Sequence, residues 1–182
     1  MKAAYLAAIG IFMAVSAGAQ GLPGMDKLKK KAAAAVAESG GLAYTAAAAA
    51  FNKAVKDIPF ANNSSELSLS DPKFSVEGVN LDDLMKKTVI PALVKALELA
   101  PADKQVTITG HASKKGTEEA SGSFQGNIAL SKARAEAVVK YLVANSSLKE
   151  ERLKVVAAGS SAPLPDTDPA ADKNCRVSIK MD

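Results

Sequence analysis

Apolar and polar residues alternate in three short stretches of the chain's second half. In "KQVTITGH", Val106 and Ile108 alternate with Thr107 and Thr109, which is the period of two that marks a half-buried strand. The stretches "ERLKVVAAG" and "CRVSIK" supply two further strands, and Ile58 and Phe60 on either side of a proline suggest another around residues 55 to 60. The pattern therefore predicts four strands.

Apolar residues recur at intervals of three and four in two other segments, as on one face of a helix. The first segment follows Asn80, which is predicted to cap it, and Pro91 inside it is expected to kink the helix. The second runs from about residue 128 to 143, and its apolar stripe is Leu130, Ala133, Ala137, Val138, Tyr141 and Leu142. An Ala-rich run to Glu38 predicts a further helix that ends at the pair Gly40–Gly41.

The order of these elements predicts the fold class. Strands and helices follow one another without an internal repeat, which indicates a two-layer α+β domain with helices packed on one face of a mixed β-sheet. We place this domain at residues 54–182 and an Ala-rich helical extension before it at 20–53.

The first residues have the features of a secretory signal peptide. One cation, Lys2, precedes an apolar run that ends near the small residues Ala17, Gly18 and Ala19. We assign residues 1–19 to the signal peptide and expect no membrane span after its cleavage; the alternative is an uncleaved anchor. Export places the protein in the periplasm and leaves an association with the outer membrane open.

Composition narrows the function classes. The formal charge of +4 is mild and spread along the chain, and aromatic residues make up 4% without any tryptophan, so nothing indicates a nucleic-acid partner. The chain has one histidine, His111, and one cysteine, so no metal cluster or catalytic constellation is recognisable. We expect neither a cofactor nor an enzyme, and His111 is interpreted as a histidine at a strand end.

The last strand sorts its residues onto two faces. Cys175, Val177 and Ile179 alternate with Arg176 and Ser178, so the cysteine is expected to face the core. A reactive or dimerising thiol is the alternative. Arg176 should point to the opposite face, where ligand contact and simple solvation are both open.

Four motifs follow one another in an order that resembles the OmpA-like peptidoglycan-binding domain. That family shows G-H-T-D at a strand end, N-x-x-L-S-x-x-R-A at a helix start, R-L with a later Gly and Pro, and N-R-R-V. This chain has Gly110-His111-Ala112-Ser113, then Asn127 to Ala135 with Leu130, Ser131 and Arg134 in register, then Arg152-Leu153 with Gly159 and Pro163, and Asn174-Cys175-Arg176-Val177. The resemblance covers roughly residues 54 to 181.

The resemblance implies a ligand and roles for the site residues. In the family, the site binds the diaminopimelate of the peptidoglycan stem peptide, whose end carries a carboxylate and an ammonium. Arg134 would bind the carboxylate through its planar guanidinium, and the free N–H groups at the helix start would assist. Asn127 would support the site or cap the helix, Leu130 would belong to the core, and Arg176 would lie near the ligand.

Two positions depart from the family pattern. Ser113 stands where the family has the Asp that binds the ammonium, and Cys175 replaces the first Arg of N-R-R-V. A hydrogen bond to a charged group contributes about 1.5–3 kcal/mol against roughly 1 for a neutral pair, so affinity for diaminopimelate should fall about tenfold or more. We hypothesise that Glu118 or Glu119, in the loop before the helix, supplies the missing carboxylate; otherwise both are solvated loop charges.

The sequence thus predicts a non-enzymatic protein that binds peptidoglycan and ties an envelope component, such as an envelope protein, to the wall. One rival keeps the fold as a periplasmic scaffold or protein-interaction domain that has lost peptidoglycan binding. Another is an envelope hydrolase, for which the chain offers few acid–base groups.

Overall fold

The computed structural model describes the backbone of residues 25–181, with side chains throughout except at 25–29, 32–37 and 39. The predicted signal peptide at 1–19 lies outside the described residues. The chain divides into two units, and the division falls between Ala43 and Tyr44 in the sequence. The predicted boundary at residues 53/54 stays a prediction.

The first helix, α1 (Met25–Ala54), is longer than the sequence suggested. It continues through Gly40 and Gly41, so the prediction that this pair ends the helix is wrong. Each glycine costs the helix about 1 kcal/mol relative to alanine. The turns that follow offset this cost because they bury Tyr44, Ala48 and Phe51, which lie four and three residues apart.

One mixed sheet of four strands forms the centre of the unit that begins at Tyr44. Its strands are β1 (Ile58–Pro59), β2 (Val106–His111), β3 (Leu153–Ala157) and β4 (Arg176–Met181), in the spatial order β1-β4-β2-β3. Strand β2 pairs parallel with β3 and antiparallel with β4, and β1 pairs antiparallel with β4. This confirms the predicted α+β fold class, although β1 is shorter than expected because α1 extends to Ala54.

The segment after Asn80 is helical as predicted, with an irregular middle. It comprises α2 (Leu81–Leu84), a π-helical stretch (Met85–Val89) and α3 (Ile90–Glu98). The Asn80 side chain accepts a hydrogen bond from the backbone N–H of Asp83 at 2.8 Å, which confirms the cap. The wider turn lies just before Pro91, which lacks the N–H that a regular helix would use.

The last helix, α4 (Asn127–Ala144), packs against β2, β3 and β4. Gly110 makes this packing close, because a Cβ added there would collide with the backbone carbonyl of Ser131 on α4. Short 3-10 turns lie at Pro72–Phe74, Glu150–Arg152 and Asp172–Asn174. Within residues 25–181, no helix has the length and apolarity to cross a membrane.

The core face of β4 follows the predicted alternation. Val177, Ile179 and Met181 are buried, and Cys175, just before the strand, is 2% exposed. Cys175 is a free cysteine. Its burial supports the interpretation that it faces inward.

Candidate functional site

A cavity of about 420 Å³ opens where β2 ends and α4 begins. Apolar atoms of Ala112, Gly116, Phe124 and Leu130 form part of its wall. The polar, uncharged lining residues are Asn62, Asn63, Ser113, Thr117, Ser121 and Asn127. Cys175 and two cations, Lys115 and Arg134, complete it. The cavity therefore brings together four sequence-predicted site residues, Ser113, Asn127, Leu130 and Arg134.

Arg134 lies buried in the cavity wall, bound to three backbone carbonyls. Its Nε donates to the carbonyl of Ser64 at 2.8 Å, Nη1 to that of His111 at 2.8 Å, and Nη2 to that of Ala61 at 2.9 Å. A guanidinium has five N–H donors. One N–H on Nη1 and one on Nη2 therefore lie outside these three bonds, in a side chain that lines the cavity beside the Cys175 thiol and is 0% exposed.

No acidic side chain within residues 25–181 forms an ion pair with Arg134. Arg134 therefore takes no part in a surface salt bridge with the described residues. Burial lowers the pKa of Arg134, and the neighbouring Cys175 acts in the opposite direction. The Phe60 ring lies 5.8 Å from the guanidinium carbon. The site therefore holds a buried cation that has no charged partner among the described residues.

The loop before α4 occupies the helix start. The backbone N–H groups of Asn127 and Ile128 donate to the carbonyls of Thr117 and Glu118 at 2.9 and 3.1 Å. This loop passes close to Gly126, which has φ +92°, and a Cβ there would collide with the backbone of Glu118 and Glu119. The expectation that these N–H groups are free to bind a carboxylate is wrong.

Asn127 is the first residue of α4, and Gly126 occupies the cap position. The proposed capping role of Asn127 is therefore wrong. Its side-chain Nδ2 instead donates to the carbonyl of Gly116 at 3.1 Å. Asn127 thus holds the loop that forms the cavity rim.

Ser113 and Cys175, the two departures from the family pattern, are neighbours. The Cys175 Sγ lies 3.6 Å from Ser113 Oγ and 3.8 Å from the Asn62 side-chain oxygen. Ser113 is 3% exposed and Cys175 2%. Uncharged groups therefore occupy the part of the cavity where the resemblance implies a carboxylate.

A model of the OmpA family matches residues 74–176, more than half of the chain. The chain belongs to the OmpA family. None of the curated proteins gives a significant match.

Among solved structures, the peptidoglycan-associated lipoprotein from Burkholderia pseudomallei is 20% identical, with a TM-score of 0.50; the match covers 71% of this chain and 92% of that one. The OmpA-like domain of FopA1 from Francisella tularensis is 22% identical, with a TM-score of 0.46, over 69% of this chain and 72% of that one. The C-terminal domain of Helicobacter pylori MotB is 20% identical, with a TM-score of 0.48, over 70% and 86%. At these identities, the likeness to the Burkholderia protein supports the fold alone.

The two loop carboxylates of this OmpA domain lie away from the cavity lining. The Glu118 carboxylate accepts hydrogen bonds from the backbone N–H and the hydroxyl of Ser160. Glu119 is exposed. Neither residue lines the cavity, so the structure does not support the hypothesis that one replaces the missing Asp.

Arg176 is neither solvated nor part of the cavity lining. Its side chain is 9% exposed, and Nε donates to Asp57 Oδ2 at 2.7 Å in an ion pair. Nη2 donates to the carbonyl of Ala162 at 3.2 Å. The structure thus gives Arg176 a role in joining β4 to the segment before β1, which the sequence interpretation did not foresee.

His111 lies between the two arginines. Its carbonyl accepts from Arg134, its Nε2 is 3.1 Å from Ser178 Oγ, and it pairs with Arg176 in the β2–β4 register. Burial and the charge of Arg176 lower the pKa of His111 to about 4. The imidazole is therefore neutral at neutral pH, and its Nδ1 has no hydrogen-bond partner within the described part of the chain.

Sequence reasoning missed several cavity residues. Asn62 and Asn63 belong to the "ANNSS" turn, and Asn63 has a left-handed φ of 59°, which asparagine tolerates better than most residues. Lys115 lines the rim and pairs with Asp172 at 2.6 Å, a hydrogen bond that raises the pKa of Lys115. No group of three or more potential metal ligands occurs within residues 25–181.

Proposed function

We propose that this protein binds peptidoglycan non-covalently through the carboxylate of the diaminopimelate residue in the stem peptide. Arg134 provides the carboxylate-binding N–H groups. Ser113 faces the nitrogen end of the ligand, Leu130 supplies an apolar wall, and Asn127 holds the rim loop. The proposed ligand contacts exclude Glu118, Glu119 and Arg176, because none of them lines the cavity. Glu118 is also bound to Ser160, and Arg176 to Asp57.

The observation that carries this proposal is the unpaired guanidinium of Arg134 in the cavity wall. Burying a cation without a counter-ion is costly, and the three carbonyls supply only partial negative charge. A ligand carboxylate would neutralise the cation and use both remaining N–H groups. Family membership and the name of the Burkholderia lipoprotein favour a wall ligand among the possible carboxylates.

We further propose that the protein works in the periplasm, where the wall lies, and that it ties an envelope component to that wall. The signal peptide predicted at 1–19 agrees with this location. The role is structural and requires neither a cofactor nor a chemical step.

Sedimentation with purified sacculi tests the proposal. Ser121 is exposed at the cavity rim, so Ser121→Trp should fill the opening without disturbing the core and abolish co-sedimentation. Ser123→Trp is the matched control, because Ser123 is exposed on the same turn but does not line the cavity. Equal binding by the two variants would contradict the assignment of the cavity.

Arg134→Lys tests the guanidinium itself. Lysine keeps the charge and loses the planar fork, so binding should fall at least about tenfold if two N–H groups hold the carboxylate. Arg152→Lys is the control, since Arg152 also donates to two carbonyls, those of Lys104 and Pro101, away from the cavity. Circular dichroism must show that both variants remain folded.

The scaffold alternative rests on the uncharged groups around Ser113. A titration with a diaminopimelate-containing tripeptide separates the two proposals. Saturable binding that depends on Arg134 supports a wall-binding protein, and the absence of saturation with every form of the peptide supports a scaffold.

A further inference from the structure

The charged groups lining the cavity all carry the same sign. Lys115 and Arg134 are cations, and none of the described lining residues is Asp or Glu. Lys115 is ion-paired with Asp172 at 2.6 Å. A ligand therefore enters a site that favours negative charge and offers no carboxylate to a positive one.

The part of the cavity lining around Cys175 is also neutral. The Cys175 sulfur lies 3.6 Å from Ser113 Oγ and 3.8 Å from the Asn62 side-chain oxygen. These groups can accept a hydrogen bond from an N–H, but they bring no charge. A ligand ammonium placed here would lose its hydration without gaining an anionic acceptor from the described lining residues, which is unfavourable.

An acylated nitrogen avoids this cost. An amide has no net charge and a single N–H, which one neutral acceptor such as Ser113 Oγ satisfies. The carboxylate beside it keeps its full interaction with Arg134. The same cavity should therefore bind the acylated form of an amino acid more tightly than the zwitterionic form.

We infer that this site selects carboxylates whose neighbouring nitrogen is acylated. This inference rests on the proposed function and narrows its ligand to cross-linked stem peptide, in which the distal amino group of diaminopimelate forms an amide with the neighbouring strand. The acyl group could extend from the cavity into solvent, because the rim residues Asn63, Gly116 and Ser121 are exposed. The protein would thus bind cross-linked stem peptides in preference to stem peptides with a free distal amine.

Calorimetric titration of the full chain with two probes tests the inference. The first probe is a diaminopimelate-containing tripeptide amidated at its C-terminal carboxylate, with its distal amine and carboxylate free, and the second is the same tripeptide amide N-acetylated at that amine. We expect the acetylated probe to bind about tenfold more tightly, the difference between a satisfied neutral hydrogen bond and an ammonium without a charged acceptor.

Ser113→Asp should reverse the preference. The new carboxylate would face the ligand nitrogen, so the free-amine probe should gain about tenfold and the acetylated probe should lose affinity. Ser123→Asp is the matched control, because it adds the same charge to the exposed loop outside the cavity lining and should keep the wild-type preference.

The outcomes separate the inference from the function on which it rests. Equal binding of both probes, or tighter binding of the free amine, by the wild type overturns the inference and leaves wall binding intact. Failure of both probes to bind contradicts the proposed function itself. If N-acetyl-Ala-Ala, which offers only an ordinary peptide C-terminus with its acylated nitrogen, binds as tightly as the acetylated tripeptide, any peptide C-terminus fits the site and the assignment to cross-linked wall is overturned.

Discussion

Two buried arginines lie on either side of His111, and they differ in what neutralises them. Arg176 is paired with Asp57 at 2.7 Å, whereas Arg134 is bound to three carbonyls and to no acid within residues 25–181. Both side chains are more than 90% buried. Since both side chains are shielded from water to a similar degree, the difference lies in their partners. Arg176 has an acid within the fold, whereas Arg134 would obtain its anion from a ligand.

The comparison also shows how each arginine is positioned. Arg176 is on β4, next to its partner strand β1, so the sheet itself brings Arg176 near Asp57. Arg134 is on α4, and its carbonyl partners come from the loop at residues 61–64 and from the end of β2. Its position therefore depends on how closely the helix approaches the sheet.

The largest expected effect follows from that approach. Gly110→Ala would push the backbone of Ser131 away from β2, and Ser131 lies one turn before Arg134. Because backbone atoms cannot move aside as a flexible side chain does, we expect a loss of more than about 3 kcal/mol in the free energy of unfolding and a loss of stem-peptide binding. Urea denaturation and calorimetric titration measure the two effects.

Gly40→Ala is the control for this substitution. A Cβ at Gly40 meets nothing within 4 Å, and alanine favours a helix over glycine by about 1 kcal/mol. The control should be neutral or slightly stabilising and should bind as the parent does. Equal stability of the Gly110 and Gly40 variants would mean that the close contact between α4 and β2 does not fix Arg134.

The contrast between these glycines also shows where sequence reasoning succeeds. The stretches that became β2, α4 and β4 were predictable because each alternates or repeats with its own period. Gly40–Gly41 looks like a helix end in the sequence, yet the helix continues because later residues bury Tyr44, Ala48 and Phe51. Their spacing of four and three was the signal that could have revealed it.

The site was less predictable than the fold. Arg134 and Ser113 were found because they lie in motifs, but the contacts that define them come from distant residues. Asp57 pairs with a residue 119 positions away, and Ala61 accepts from one 73 positions away. No local pattern encodes such pairs, so the sequence left ligand contact and solvation open for Arg176, which is instead held by Asp57.

The next largest effect concerns His111, which contacts both arginines. Its pKa in the folded protein is lowered to about 4 from 6.5, so the unfolded chain binds the additional proton between these pH values. The folded state is then favoured above pH 6.5 and loses stability as the pH falls toward 4, by up to about 3 kcal/mol. Urea denaturation at intervals from pH 7 to pH 4 measures this loss.

His111→Gln provides the control. Glutamine cannot titrate, and His111 is the chain's one histidine. The stability of the variant should therefore change little with pH between pH 6.5 and 5. Carboxyl groups account for what remains at lower pH. An unchanged slope in the variant would show that His111 is not the titrating group, whereas stem-peptide binding should persist because Arg134 uses the backbone carbonyl of this residue.

The smallest expected effect compares the two cations directly. Asp57→Ala would leave Arg176 buried and unpaired, which is the situation of Arg134 in the native protein. Because the Asp57 side chain is 39% exposed, the cost falls below that of a fully buried pair, and we expect a loss of about 2 kcal/mol in the free energy of unfolding.

Glu136→Ala is the control. It removes an exposed pair with Lys132 at 3.6 Å and should cost less than about 0.5 kcal/mol. Stem-peptide binding should stay unchanged in both variants. If Asp57→Ala cost no more than Glu136→Ala, carbonyls and water would neutralise a buried guanidinium as well as an acid does, and the absence of an acid beside Arg134 would no longer indicate a ligand.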